Sequence, residues 1–187
     1  MGAASIDVFF LIGQLLLGCF EIAAQVAATE FPITALYRPP NPAWLRTIVE
    51  RWRARENLRL ARADLAGVRE LHAALSSNEA VGMLPDQVPG KGQGEWADFF
   101  GKPAYTMTLA AKLAARPGSA CLLAYGERLA GGEGYVLHVR PMPAAEPGES
   151  GARHMNRALE ALIRECPGQY LWGYNRYKRP KGAPANS

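Results

Sequence analysis

An apolar run leads directly into a polar, glycine-rich loop in the segment Ala80-Val81-Gly82-Met83-Leu84-Pro85-Asp86-Gln87-Val88-Pro89-Gly90-Lys91-Gly92-Gln93-Gly94. The apolar half, residues 80–84, predicts a short buried strand, and the polar half begins where that strand ends. An acid and an amide, Asp86 and Gln87, therefore precede a lysine-bearing glycine loop. This arrangement indicates a site for an anionic ligand.

Strand-like and helix-like segments alternate on both sides of this loop. The pattern predicts strands over residues 7–12, 33–37, 80–84, 121–125 and 134–139, and helices over 19–28, 64–75, 105–116, 154–165 and a segment after Asn41-Pro42. This alternation implies an α/β fold, in which helices flank both faces of a largely parallel sheet. Ligands of such sheets bind beyond the carboxyl ends of the strands, where Arg38, Asp86 and the glycine loop are expected to lie.

Length and composition favour one domain over residues 1–187, since 187 residues with 49% hydrophobic content can bury one core. We expect residues 181–187 to be a disordered tail. The three cysteines are widely spaced and odd in number, which argues against a disulfide framework and a structural zinc site. The apolar stretch 8–20 is shorter than the roughly 20 residues that cross a bilayer.

Positive charge is concentrated in residues 38–69, which contain eight arginines against three acids. Such a region could contact an anionic bilayer, the phosphates of a substrate or an acidic partner protein, or it could be a solvated helix face. The aromatic and basic residues of 172–181 suit either a membrane interface or packing on the core. No nucleic-acid-binding motif accompanies the charge, so we expect no nucleic-acid partner.

Four motifs in consistent order carry a resemblance to a known family. They are Leu17-Gly18-Cys19-Phe20-Glu21, Tyr37-Arg38-Pro39-Pro40-Asn41-Pro42, the Asp86-Gln87 loop, and Pro167-Gly168-Gln169-Tyr170-Leu171-Trp172-Gly173-Tyr174-Asn175-Arg176-Tyr177-Lys178-Arg179-Pro180. Together they resemble the lipid A late acyltransferases of the lauroyl/myristoyl type. The resemblance implies an acyltransferase-type α/β fold.

It also implies transfer of a fatty acyl chain from acyl carrier protein to a hydroxyl of a lipid A precursor, at the cytoplasmic face of the inner membrane. No metal or organic cofactor is implied, because the thioester of acyl carrier protein is the acyl donor. Members of the family carry a membrane anchor before the first motif, so this chain is expected to be an amino-terminally truncated member that contacts the membrane peripherally.

The resemblance further implies a His-x4-acid catalytic motif, in which the carboxylate orients a histidine that acts as general base. Glu21 matches the acid, but Leu16 stands where the histidine is expected. None of the three histidines, His72, His138 and His154, is followed by an acid at the required spacing. We therefore expect impaired catalysis, with a non-catalytic module that binds lipid or carrier protein as the alternative.

The remaining candidate site residues are Arg38, Asp86, Gln87 and Lys91, and the resemblance implies that the first three contact substrate. An arginine at a strand exit can bind phosphate or carboxylate oxygens through its forked guanidinium. A surface charge for Arg38 and an Asx-type turn for Asp86 remain the alternatives that the residues alone leave open.

Overall fold

A computed structural model describes residues 7–12, 16–40, 42–53 and 55–185, and for residues 7–12, 16–21, 43 and 52 the backbone alone. The elements are, in chain order, β1 Asp7–Ile12, α1 Leu16–Glu30, β2 Ile33–Tyr37, α2 Ala43–Arg53, β3 Leu58–Arg62, α3 Leu65–Ser76, β4 Ala80–Met83, β5 Gly94–Phe99, β6 Lys102–Met107, α4 Thr108–Ala114, β7 Ser119–Arg128, β8 Tyr135–Pro141 and α5 Gly151–Glu165.

The main sheet has six strands in the order β3-β2-β4-β1-β7-β8. Every neighbouring pair from β3 to β7 is parallel, and β8 pairs antiparallel with β7 at one edge. The central register places Phe9 beside both Val81 of β4 and Cys121 of β7. The predicted α/β fold with a largely parallel sheet is confirmed.

Helices cover both faces of this sheet, as predicted. On one face, α1 packs its buried alanines, such as Ala24 and Ala27, against the side chains of Ile33, Leu58 and Ala124. The opposite face carries the larger core, which α3, α4 and α5 contribute together with strand residues that point the other way. That core includes Leu71, Leu75, Val81, Met83, Leu113, Leu123, Met155 and Leu159. Side chains of neighbouring strand residues point to opposite faces, which explains this division.

The prediction of a helix over 105–116 was partly wrong. Residues 102–107 form β6, which pairs antiparallel with β5 in a separate two-stranded hairpin, and the helix spans Thr108–Ala114. The hairpin turn is Phe100-Gly101, where both residues have positive φ, 49° and 71°. A two-residue hairpin turn of type I′ needs positive φ at both positions, and asparagine, aspartate or glycine usually occupies the first. Because phenylalanine occupies the first position here, the sequence does not indicate this turn.

The arginine-rich region does not form a single face. Its eight arginines are distributed over the exit of β2, helix α2, the link between α2 and β3, strand β3 and helix α3. Several have local partners: Arg59 forms an ion pair with Glu79, and the guanidinium of Arg53 lies 6.0 Å from the ring centre of Tyr37. Part of the positive charge of this region therefore makes contacts within the domain.

Helix α2 projects its apolar residues outward. Trp44 is 68% exposed and Ile48 is 55% exposed, one helical turn apart. The helix is tied to the sheet by the Tyr37 hydroxyl, which donates to Oε1 of Glu50 at 2.6 Å. Among the described helices, none combines the length and the apolar character that crossing a bilayer requires.

The segment after α5 packs on the domain. Ala183 is buried beside Val88 and Tyr105, and the Trp96 indole donates to the carbonyl of Pro184 at 3.0 Å. This differs from the disordered tail expected over 181–187, at least for the residues up to 185 that the structure describes. The small side chain of Ala183 fits against the hairpin, and composition alone does not reveal that contact.

Candidate active site

A cavity of about 330 Å³ lies at the carboxyl edge of the parallel sheet. The exits of β2 and β4, the start of α3, and the junction of β6 with α4 form its walls. Its apolar lining is supplied by Leu36, Leu65, Val68, Leu84, Val88, Met107 and Leu109. The volume falls within the roughly 300–1,000 Å³ of small-molecule sites. The predicted position of a ligand site, beyond the carboxyl ends of the strands, is thus occupied by a cavity.

Seven polar or charged side chains of varied chemistry also line this cavity. They are Tyr37, Arg38, Asp64, Gln87, Gln93, Thr108 and Lys112. Two cations, Arg38 and Lys112, therefore accompany an otherwise largely apolar lining. Such a combination suits a ligand with an apolar chain and an anionic or oxygen-rich end.

The α3 side of the cavity is fixed by the start of that helix. Asp64 is its N-cap, and its Oδ1 accepts from the backbone amides of Ala66 and Gly67 at 3.0 Å each. Gly67 packs directly on the backbone of Arg62, where a Cβ atom would collide with the carbonyl oxygen. The Asp64 carboxylate is thus engaged in capping, and the close helix–strand contact sets the position of Val68 in the wall.

Arg38 and Gln87, two of the residues predicted to contact substrate, both line the cavity. Asp86 and Lys91 are placed elsewhere. Asp86 is completely buried behind the cavity wall, and the hydroxyl of Tyr170 donates to its Oδ2 at 3.2 Å. Lys91 is exposed, and its aliphatic part lies against Gly182. Of the glycine loop, Gly92 and Gln93 line the cavity, whereas Lys91 does not.

The buried neighbourhood of Asp86 perturbs the titration of its partners. Burial raises the pKa of Tyr170 above its ordinary value, and the charge of Asp86 raises it further. Burial lowers the pKa of the nearby Arg176, while the negative charge of Asp86 opposes that lowering. Asp86 is therefore a buried carboxyl group that accepts from a tyrosine hydroxyl and lies within electrostatic range of a buried guanidinium.

Arg176 is the residue that sequence reasoning most clearly missed, because the aromatic and basic residues around it suit a membrane interface as well as packing on the core. It is 2% exposed and donates to the carbonyl of Tyr105 at 3.0 Å, to Oγ1 of Thr106 at 2.7 Å and to Oδ1 of Asn156 at 3.1 Å. Its guanidinium also lies 5.1 Å from the ring centre of Phe99. In contrast, Trp172 is 58% exposed, so the tail combines core packing with exposed aromatic surface.

Leu16 and Glu21, the two positions compared with the His-x4-acid motif, lie on α1. Leu16 is its first residue, and Glu21 follows in the second turn. Their side chains lie outside the described part of the structure. Leu16 begins the helix that follows β1 in the chain, and β1 runs parallel to β4 with Leu11 beside Met83, one residue before the cavity-lining Leu84.

In the part of the chain that the structure describes, no three His, Cys, Asp or Glu side chains come together in a way that could hold a metal ion. The two described cysteines, Cys121 and Cys166, are free thiols. The polar groups available at the cavity are therefore amide, hydroxyl, guanidinium, ammonium and carboxylate groups.

Comparison with known proteins matches residues 17–179 to the bacterial lipid A biosynthesis acyltransferase family. The chain is 32% identical over 185 residues to the lipid A biosynthesis lauroyltransferase of Escherichia coli K12, covering 92% of this chain and 59% of that protein. It is 32% identical over 167 residues to the palmitoleoyltransferase of the same organism, covering 87% and 54%.

A lipid A biosynthesis acyltransferase of Haemophilus influenzae is 27% identical over 150 residues, which represent 75% of this chain and 44% of that protein. The chain thus spans about half the length of the curated relatives that it matches. The matched region contains the whole cavity as well as Tyr170 and Arg176. The chain belongs to the bacterial lipid A biosynthesis acyltransferase family.

Proposed function

We propose that this chain carries the acyl-binding and acceptor-binding part of a lipid A acyltransferase. The fatty acyl chain lies in the cavity, and its donor is the thioester of acyl carrier protein. The acceptor is a hydroxyl of a lipid A precursor at the cytoplasmic face of the inner membrane. No metal or organic cofactor enters this scheme.

The observation that carries this proposal is the cavity itself. Its apolar wall can bury methylene groups, while Arg38 and Lys112 offer positive charge to phosphate or carboxylate oxygens. Acyl transfer also needs donors to the oxyanion that develops on the thioester carbonyl, and Gln87 and Thr108 are neutral donors in the same cavity. We assign Arg38 and Gln87 to substrate binding, and Asp86 to support of the wall behind them.

Acyl-chain binding predicts a dependence on chain length. We expect the dissociation constant for saturated fatty acids to fall by up to about fourfold per added methylene, because burying one methylene is worth about 0.8 kcal/mol. The gain should stop at the length that fills the cavity. Displacement of the fluorescent fatty acid cis-parinaric acid measures this series.

Val68→Phe is the informative variant, because Val68 lies in the cavity wall on α3. The larger phenylalanine side chain should reduce the cavity, so that the affinity stops rising at a shorter fatty acid. Val139→Phe is the matched control, since Val139 is 46% exposed on β8 and lies outside the cavity. Binding that does not depend on chain length, or that both variants alter equally, would contradict acyl-chain binding in this cavity.

Peripheral membrane contact is proposed for helix α2. Its exposed residues Trp44 and Ile48 would enter the headgroup region of the bilayer. Arg51, in the last turn of the same helix, would form ion pairs with anionic lipid phosphates. Leu65, in the cavity lining, is a further apolar residue that is 78% exposed. A substrate that resides in a bilayer could then reach the cavity without crossing water.

We expect the double change Trp44→Ser and Ile48→Ser to weaken partitioning into anionic phosphatidylglycerol vesicles by about tenfold or more. The reason is that burying an apolar side chain of this size is worth about 1.5–3 kcal/mol. Vesicle co-sedimentation provides the measurement. The control change Val136→Ser and Val139→Ser removes two apolar side chains, 40% and 46% exposed, from β8 and should leave partitioning unchanged. Equal loss in both pairs would argue against α2 as the contact.

A second candidate function is favoured by Leu16, which cannot accept a proton where the family motif carries its base. The chain would then bind lipid or acyl carrier protein without turnover. Ligand binding in the cavity is common to both functions, so the length series supports either one. Acyl-transfer measurements on a variant of Leu16 separate them.

A further inference from the structure

Gln87 has an unusual position in the cavity wall. It is half-buried, lines the cavity, and its backbone amide donates to the carbonyl of Leu84 at 3.4 Å. Within the described residues, the side-chain amide of Gln87 has no protein hydrogen-bond partner. Both its donor and its acceptor are therefore available to a ligand.

Hydrogen bonds from one distant segment hold the residues on both sides of Gln87. Before it, Asp86 accepts from the Tyr170 hydroxyl at 3.2 Å. After it, the backbone amide of Val88 donates to the Tyr174 hydroxyl oxygen at 2.8 Å. Asp86 is completely buried and Val88 is 2% exposed, so these bonds are shielded from water.

The segment that supplies the two tyrosines is itself fixed to the frame of the domain. Arg176, two residues after Tyr174, donates to β6 through the Tyr105 carbonyl and the Thr106 hydroxyl, and to α5 through Asn156. This buried anchor limits movement of the tyrosine hydroxyls relative to the sheet. The geometry of Gln87 is thereby coupled to residues more than eighty positions away in the chain.

We propose that Tyr170 and Tyr174 are positioning residues that act through Asp86 and Val88 to hold the Gln87 amide toward the polar end of a ligand in the cavity. An amide that both donates and accepts recognises a ligand oxygen, such as a carbonyl, carboxylate or hydroxyl oxygen. The inference rests on the proposed acyl-binding function and specifies which residues orient the polar end of the acyl ligand.

The test uses cis-parinaric acid, a straight-chain fluorescent fatty acid with a carboxylate end. We expect Tyr170→Phe and Tyr174→Phe each to weaken its binding about three- to tenfold, because each removes one shielded hydrogen bond. Tyr177→Phe is the matched control. It removes a hydroxyl from the same segment, but that hydroxyl donates to the carbonyl of Phe99, away from Gln87.

A double-mutant cycle separates positioning from general loss of structure. If Tyr174 acts through Gln87, the combination of Gln87→Ala with Tyr174→Phe binds the probe no more weakly than Gln87→Ala alone. Hydrogen exchange of the Val88 amide adds a readout without ligand, and it should accelerate in Tyr174→Phe and stay unchanged in Tyr177→Phe. Tyr174→Phe leaves the bond to Asp86 intact and carries the test if Tyr170→Phe does not fold.

Additive effects of Gln87→Ala and Tyr174→Phe would overturn the inference, as would unchanged probe binding in both tyrosine variants. In either case, tight binding by the unmodified chain would leave the proposed function standing. If the unmodified chain does not bind the probe, the acyl-binding function fails and the inference fails with it. The two failures are thus distinguishable.

Discussion

Replacing Arg176 with methionine is expected to lower the free energy of unfolding by about 3–5 kcal/mol, a large part of the stability of a single domain. The guanidinium is 2% exposed and donates to Tyr105, Thr106 and Asn156. Its removal takes one donor from each of these three acceptors, of which Thr106 Oγ1 still accepts from the Asn156 amide. It also removes the positive charge that opposes the buried charge of Asp86. Urea denaturation followed by circular dichroism measures the change.

Two further variants identify the cause of that loss. Arg69→Met removes the same charge from the exposed face of α3 and should change the free energy of unfolding by no more than about 0.5 kcal/mol. Adding Asp86→Asn to Arg176→Met should recover part of the loss, because the second change removes the uncompensated buried anion. An Arg176→Met protein as stable as the Arg69→Met protein would show that Arg176 does not anchor the segment.

The central sheet was predictable because its strands carry their own signal. The run Asp7–Ile12 is short, apolar and rich in residues that favour strands, and Ile33–Tyr37 ends at two prolines, so both matched the observed bounds. The position of a ligand site followed from the topology alone, since parallel strands bring their carboxyl ends to one edge. This argument located Arg38 and the loop after β4 at the cavity, although Asp86 itself is buried behind the wall.

Strand β3 and the β5–β6 hairpin were not predictable in the same way. In Leu58–Arg62 the two arginines point outward and suggested a basic surface, although Leu58 and Ala61 are buried. The hairpin places Met107 and Thr108 in the cavity wall, and through α4 it brings Lys112 there. These cavity residues were missed because their position depends on an unrecognised turn.

The roles of Asp86 and Arg176 depend on contacts that no local pattern encodes. Asp86 and its partner Tyr170 are 84 residues apart in the chain, and Arg176 and Asn156 are 20 apart. The sequence around Arg176 alternates aromatic and basic residues, which is equally compatible with a membrane interface. Only the tertiary packing separates the buried Arg176 from the exposed Trp172.

Replacing Leu16 with histidine is expected to raise acyl transfer from acyl carrier protein to a lipid A precursor by about a hundred- to ten-thousand-fold, the range that a positioned general base contributes. Leu16 begins α1 at the carboxyl edge of the sheet, where β1 lies beside β4 and the cavity. Glu21 lies five residues later in the same helix and would orient the new imidazole. Assays in detergent micelles compare the rates.

Leu16→Gln is the matched control, because it places a polar side chain at the same position without a group that can act as general base, and it should give no such gain. Adding Glu21→Gln to Leu16→His should remove most of the gain if the carboxylate orients the base. An unmodified chain that already transfers acyl groups as fast as the Leu16→His variant would place the base elsewhere. If neither the unmodified chain nor the Leu16→His variant transfers acyl groups, although both bind fatty acids in the cavity, the non-catalytic binding function is favoured. Restoring the base would then not be sufficient for acyl transfer, while ligand binding persists.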